Sequence, residues 1–326
     1  MRQASAFALK ASEGTARLRR TRWTGRGQTG SLRRMKKTWC RDDLIHFKPK
    51  HDVLVAIDSD GCVFDSMTIK QRIFHTGIIQ FWSLEAVESE FRKVAEWTAL
   101  YSPWRGLNRF ELLLKILQGV SKYIPACTNL PSTDALEAFA KSGVPLSADE
   151  LAKRIERTGD PELKRALAWS RAVSKEIAAV PQMPVFDGVS DGLEKIRTTA
   201  DSIVVSQTDE AALVHEWRNA GLEKFVDVIA GAELGSKIES LATAMKGRYA
   251  PEKTVMAGDA PGDLETARAV GCLFFPIIPG DEPASWVELR EEALPRVLSG
   301  TFAGEYQQKL IARFNTVLSE VPPWAK

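Results

Sequence analysis

Four short apolar runs, 53–57, 203–205, 226–230 and 254–257, each give way to turn residues and then to apolar positions spaced three and four apart. A fifth run of the same kind covers 272–278. Continuously apolar runs, unlike alternating ones, suit strands covered on both faces, as in a parallel sheet. The stretches 210–221, 237–249 and 264–270 behind the second, third and fourth runs carry helical spacing, and Gly221 supplies a stop for the first. Alternating strand and helix predict a doubly wound α/β fold with a parallel sheet.

Between the first run and the second there is no strand pattern. Helical spacing recurs over 67–84, 87–101, 108–122, 134–141, 148–157 and 162–179, with breaks at Pro103, Pro125, Pro145 and Pro161. This predicts an all-helical domain, 67–182, inserted just after the first strand of an α/β core made of 35–66 and 183–326. Pro181 and Pro184 lead into another helix at 188–198, and the tail 284–318 reads as two helices packed on the sheet domain.

At 326 residues, 44% apolar and 26% charged, the chain has a globular composition, and it lacks the run of roughly 20 apolar residues that a membrane helix needs. Its net charge of +2 conceals an uneven layout. Residues 1–34 carry eight Arg and Lys10 against Glu13, a net +8, which leaves −6 for the remainder. Arg-rich and poor in apolar residues, this arm is expected to be disordered. It is read as a targeting segment, as a nucleic-acid tail, or as an extension ahead of a start at Met35. Of the rest, 67–180 sums to +3 and the sheet domain to −9, so nucleic acid is not the expected partner of the main body. Cys40, Cys62, Cys127 and Cys272 form no CxxC and lie far apart, which indicates neither a disulfide framework nor zinc and makes a reducing cytoplasm the default setting. The histidines His46, His51, His75 and His215 offer no triad or metal spacing.

The first run ends in Asp58-Ser59-Asp60-Gly61. In a parallel α/β sheet, ligands bind off the carboxyl ends of the strands, where both aspartates emerge. Paired carboxylates repel and call for a cation or a shared proton, unless they are simply solvated. The fourth run ends in Gly258-Asp259-Ala260-Pro261-Gly262-Asp263. Asp263 either joins Asp259 in the site or caps the helix behind it. Four converging carboxylates would suit Mg²⁺. Ser206 closes the second run, and Lys237 follows Gly235-Ser236 at a helix start, where it is a surface residue or a counter-charge to the acidic group.

In this order the motifs resemble those of the haloacid dehalogenase superfamily of phosphotransferases, over about 52–66 and 185–280. Asp58 to Gly61 is similar to the nucleophile motif, Ser206 to the second, Lys237 to the third, and Asp259 with Asp263 to the acidic fourth. The chain departs from the family at Cys62, at Gln207-Thr208 and at Ile238-Glu239. The helical insertion resembles a C1-type cap, longer than usual. The resemblance implies that Asp58 attacks phosphorus and forms an aspartyl phosphate. It also implies that Mg²⁺ is held by Asp58, the Asp60 carbonyl, Asp259 and Asp263, and that Ser206 and Lys237 hold the phosphoryl oxygens. Asp60 would then serve as acid and base. The implied substrate is a small phosphorylated metabolite.

The turn holding Trp104-Arg105-Gly106-Leu107-Asn108-Arg109 resembles the cap motif of the beta-phosphoglucomutases, which makes a sugar-phosphate mutase the alternative and Arg105 and Arg109 candidate substrate residues. Otherwise Arg109 solvates its helix and Trp104 is cap core. A third reading, from the basic arm, is a non-catalytic nucleic-acid-associated protein.

Overall fold

The computed structural model describes residues 38–128 and 130–325, so the arm at 1–34 lies outside the described residues. After Arg41–Ile45 (α1), the chain enters β1 at Leu54–Ile57 and then runs through the six helices of the insertion. These are Ser66–Trp82 (α2), Glu88–Leu100 (α3), Arg109–Tyr123 (α4), Asp134–Ala140 (α5), Ala148–Thr158 (α6) and Pro161–Ala178 (α7). Val189–Thr199 (α8) leads to β2 at Asp201–Val205, followed by Glu210–Asn219 (α9), β3 at Val228–Ala230 and Lys237–Met245 (α10). Next come β4 at Thr254–Gly258, Pro261–Val270 (α11) and β5 at Leu273–Pro276. Glu282–Glu288 (α12) and Leu294–Ser299 (α13), joined by a π-helical turn at Leu289–Ala293, and Glu305–Val317 (α14) complete the α-helices among the described residues.

Among the described residues, five strands form one parallel sheet in the order β3-β2-β1-β4-β5. Leu54 of β1 lies opposite Asp201 on one side and Thr254 on the other. The chain winds outward to β3, then returns across β1 to continue in the other direction. The carboxyl ends of β1 and β4 therefore flank the point where the winding reverses, the place at which an open parallel sheet leaves a crevice for ligands. Alternate residues feed two cores. Val55, Ile57, Val204, Val255, Ala257 and Phe275 face one layer of helices, while Leu54, Ala56, Ile203, Val205, Met256 and Phe274 face the other. The sheet is thus buried on both sides, as its unbroken apolar runs require.

The helical insertion buries a separate core around Phe91, Phe110, Leu113, Phe139 and Trp169. Its breaks and caps match the sequence. Asp160 accepts from the N–H of Glu162 and of Leu163, both at 2.9 Å, and Pro161 opens α7 at a position where no backbone donor is needed. Gly77 lets α2 approach α7 closely, since a Cβ there would lie 2.9 Å from Trp169 Cδ1.

Several elements differ from expectation, among them α10, which stops at Met245 rather than running to 249, and the tail, which holds the three helices α12, α13 and α14 rather than two. The second strand starts at Asp201, because that buried carboxylate accepts from the N–H of Lys50 (2.8 Å) and His51 (2.9 Å) and from the Tyr249 hydroxyl (2.8 Å). Its polarity hid the strand end. The third strand starts at Val228 after a turn in which Asp227 N–H donates to Ser202 O (2.8 Å). The helix after β4 begins at Pro261 and so includes Asp263 in its first turn.

The tail has a definite function in the fold. Trp286 of α12 lies against α8, where a Cβ on Gly192 would come within 2.5 Å of its ring, and its Nε1 donates to Cys62 O (2.8 Å). Gln307 of α14 accepts from Phe274 N–H (2.9 Å), covering part of the open edge of β5. Beyond α14, Trp324 makes edge contacts with Trp97 and Tyr123 of the helical insertion, at ring separations of 6.1 and 6.4 Å. Among the described residues, no helix is long and apolar enough to cross a membrane.

Candidate active site

Asp58 leaves β1 while its backbone is still in the ladder, donating to Ala257 O (2.9 Å), and its side chain points into the crevice beside β4. Ser59 N–H donates to Asp58 Oδ1 (2.7 Å). The chain then turns sharply. Val63 N–H returns to Ser59 O (2.9 Å) and Gly61 N–H to Phe64 O (2.9 Å), with Gly61 in the left-handed region at φ 71°. No other residue suits this position, because a Cβ would stand 2.4 Å from Asp259 Oδ2. Two tryptophans brace the turn from behind, Trp217 donating to Ser59 Oγ (2.9 Å) and Trp286 to Cys62 O.

Asp259 and Asp263 arrive from the end of β4. Asp263 combines the two expectations for it, accepting from Ala260 N–H through Oδ2 (3.1 Å), as a helix cap does, while turning Oδ1 to Lys237 Nζ (2.6 Å). Gly258 leaves it room, since a Cβ there would lie 2.3 Å from Asp263 Cγ. Lys237 opens α10, whose capping box pairs Ser236 Oγ with Glu239 N–H (3.2 Å) and Glu239 Oε2 with Ser236 N–H (2.8 Å). The Ile238-Glu239 departure thus serves the cap that places the lysine. Lys237 Nζ also reaches Asp58 Oδ2 at 2.8 Å. One oxygen each from Asp58, Asp259 and Asp263 lie within 4.8 Å of one another, all three residues buried.

Asp60 does not join them. Its carboxylate accepts from the Ser66 hydroxyl, from Lys70 Nζ at 2.7 Å on each oxygen, and from Thr208 Oγ1 at 2.9 Å. The structure therefore converges three carboxylates, not four, and gives the fourth its own lysine. Ser206 directly follows β2 and is buried nearby, its Oγ accepting from Thr208 N–H (3.2 Å). Sequence reasoning missed Ser66, Lys70 and Thr208. The first two lie four apart on the opening turns of α2, facing back toward the motif that precedes them, and that spacing was the available signal.

The two arginines of the α3–α4 turn divide. Arg105 is buried and bonds Asp259 Oδ2 through both Nε and Nη2, each at 2.6 Å, while Nη1 donates to Leu100 O (3.1 Å). Arg109 instead bonds Ser174 Oγ (2.6 Å) and Ser170 O (3.3 Å) of α7 and lies over the Phe74 ring. It belongs to the packing of the insertion, not to the carboxylate group. Trp104 stacks edge-on with Trp97 at 5.5 Å, as insertion core.

The electrostatics separate the two aspartates of the first motif. Burial raises Asp58 to about 7, with Asp263 adding to the rise and Lys237 opposing it. Burial pulls Asp60 upward too, but Lys70, Ser66 and Thr208 outweigh it and hold the group below the usual carboxylate value. Asp259 is raised to about 6 by burial against the pull of Arg105, and Asp263 is raised by burial against that of Lys237. Burial favours a neutral Lys237, yet Asp263 and Asp58 overcome that and keep it firmly protonated.

Part of the chain has a counterpart among known sequences. The family model described as haloacid dehalogenase-like hydrolase matches residues 108–277, more than half of the chain. The chain belongs to that family. The match takes in Ser206, Lys237, Asp259 and Asp263 and begins after the motif that holds Asp58. No curated protein matches the chain. Solved structures align with it at low identity. A subfamily IA hydrolase of the superfamily from Geobacter sulfurreducens is 14% identical, with 70% of this chain and 90% of that one covered and a TM-score of 0.39. A haloacid dehalogenase-like hydrolase from Streptococcus pneumoniae is 14% identical, covering 74% and 91%, with a TM-score of 0.37. CbbY from Rhodobacter sphaeroides, solved in complex with phosphate, is 15% identical, covering 69% and 86%, with a TM-score of 0.38.

Proposed function

We propose that this haloacid dehalogenase-like hydrolase is a Mg²⁺-dependent phosphatase that cleaves a small phosphomonoester through an aspartyl phosphate on Asp58. The observation that carries this reading is the division between Asp58 and Asp60. Two carboxylates two positions apart stand in different surroundings, one within an acidic cluster and the other outside it with its own hydrogen-bond donors. Such a division of environments is how one site obtains a nucleophile and a proton carrier from the same residue type.

The donor set fits a hard divalent cation. Three buried carboxylates face two basic side chains, Lys237 and Arg105, and Asp259 Oδ1 is buried with no hydrogen-bond partner. Oxygen-only ligands of this charge suit Mg²⁺. Asp58, Asp259, Asp263 and the carbonyl of Asp60 would hold it, and when bound it would neutralise phosphoryl oxygens so that one anion can approach another.

The remaining work falls to side chains. Asp58 supplies the nucleophilic oxygen, kept in line by Ser59 N–H. Lys237, fixed at a helix start, and Ser206, directly after β2, bind oxygens of the phosphoryl group. Asp60 gives a proton to the departing alkoxide and later takes one from the attacking water. In the arrangement seen here Lys70 keeps it ionised, the state that suits the second step, so the first requires the Lys70 contact to loosen. The helices between β1 and β2 act as a cap.

The mutase alternative drew on Arg105 and Arg109 as substrate residues, and both are engaged within the protein, with Asp259 and with α7. Phosphate release is therefore the proposed outcome. A panel of phosphorylated metabolites, assayed for inorganic phosphate with Mg²⁺, tests it. Release that stops with EDTA and in Asp58→Asn supports the reading, and full turnover in either condition overturns it.

A further inference from the structure

We propose that Arg105 is an internal latch that competes with the divalent cation for Asp259, so that cation binding and the Arg105–Asp259 contact oppose one another. This rests on the metal reading above and adds to it.

The contact is built as a substitute cation rather than an ordinary brace. Arg105 and Asp259 are both nearly sealed from solvent, their side chains 3% and 2% exposed. A guanidinium paired with a carboxylate frequently spans both oxygens, one donor to each. Here Nε and Nη2 both fall on Oδ2 at 2.6 Å, and Oδ1 is left buried without a partner. Asp259 Oδ1 thus stays buried without a partner while the charge of the residue is covered from the insertion.

The position of the turn is equally particular. Arg105 Nη2 would lie 2.7 Å from a Cβ on Gly61, so the guanidinium sits against the nucleophile motif itself. Next to it Gly106, at φ 82°, brings the turn onto the fourth motif, where its Cβ would be 2.8 Å from Ala260 Cβ. A bulkier residue at either glycine would hold Arg105 out. The turn carries Arg105 into the site from the insertion, whereas Lys237 enters it from the sheet domain.

Charge decides the exchange. Arg105 cannot simply withdraw, since Asp259 would be left as a buried charge without a counterpart. With Arg105 in place the three carboxylates and two basic groups leave one negative charge; without it they leave two, which a divalent cation balances. Coupling of this kind is reciprocal: a cation that displaces Arg105 frees the turn, and a turn held shut weakens cation binding.

The test uses the full chain and Mn²⁺ as probe, with free Mn²⁺ followed by electron paramagnetic resonance. Arg105→Gln should bind Mn²⁺ at least tenfold more tightly than wild type. In wild type, hydrogen exchange over 101–108 should speed up when Mn²⁺ is saturating. An Arg105→Gln protein that melts cooperatively but binds Mn²⁺ no better than wild type overturns the latch, as does unchanged or slower exchange over 101–108. If that variant does not fold, the wild-type exchange measurement decides alone. Mn²⁺ bound equally well by Asp259→Asn overturns the metal reading, and the latch with it.

Discussion

At the level of single residues, the site depends on what each side chain is prevented from doing. Asp58 is held in a group of like charges, while Asp60 is drawn aside by Lys70, Ser66 and Thr208. Their variants should therefore differ in kind. Asp58→Asn should abolish phosphate release and weaken Mn²⁺ binding together. Asp60→Asn should lower kcat by roughly 10²–10⁴-fold, the usual worth of a general acid and base, while Mn²⁺ affinity stays within about twofold. Parallel loss of both quantities in Asp60→Asn would contradict the division of labour. Gly61→Ala places a methyl where Asp259 Oδ2 stands and imposes a left-handed backbone on an L residue, costing about 1–2 kcal/mol before the collision is counted. A clear drop in Tm together with loss of Mn²⁺ binding is expected.

Among the elements, the helical insertion is the part whose internal physics is most exposed to test. His75 on α2 is buried with Nε2 unpartnered, and burial, with Arg92 adding to it, lowers its pKa to about 3. The folded group thus takes up its proton later than the unfolded one, so as pH falls below about 6.5 the unfolded chain gains protons and stability is lost. Between pH 6.5 and pH 5 this should cost wild type about 2 kcal/mol relative to His75→Gln, read from denaturant unfolding of the pair at both pH values. Buried Asp58 and Asp259 have raised values and act in the opposite direction, which is why the comparison with the variant is needed. Trp324→Ala removes two edge contacts with the insertion and should lower stability by about 1 kcal/mol, seen as a small fall in Tm.

The sequence made the strands and the acidic motifs legible because both are local: a two-sided sheet demands unbroken apolar runs, and the aspartates of the cluster directly follow two of those runs. It did not show α1, whose five residues include only two apolar ones and complete no helical period. Nor did it show that Arg105 belongs to Asp259 or that Trp286 supports Cys62, because those pairs lie 154 and 224 positions apart and neither leaves a spacing to read. Lys70 stood closer to legibility, on the first helix after the motif it serves.

On the scale of the whole molecule, uneven charge becomes a division of labour between a sheet domain that gathers carboxylates and an insertion that returns a cation to them. Prolonged dialysis against EDTA should therefore leave the protein folded, with Arg105 and Lys237 still answering the acidic cluster. A chelated sample that retains its circular dichroism and melts within a few degrees of the untreated one is expected, and global unfolding on chelation would contradict this.

The place of β1 in the sheet also shapes how the chain reaches its fold. It is the first strand in sequence yet the central one in space, and its two neighbours, β2 and β4, both come after the six helices of the insertion. Pairings that distant form late, whereas helices joined by short turns form early. During refolding the insertion should therefore gather first, while the strand that carries Asp58 waits with both of its hydrogen-bonding edges bare. Leu54–Ile57, wholly buried and paired on both edges in the finished protein, is thus a segment through which a partly folded chain is open to pairing with another copy of itself.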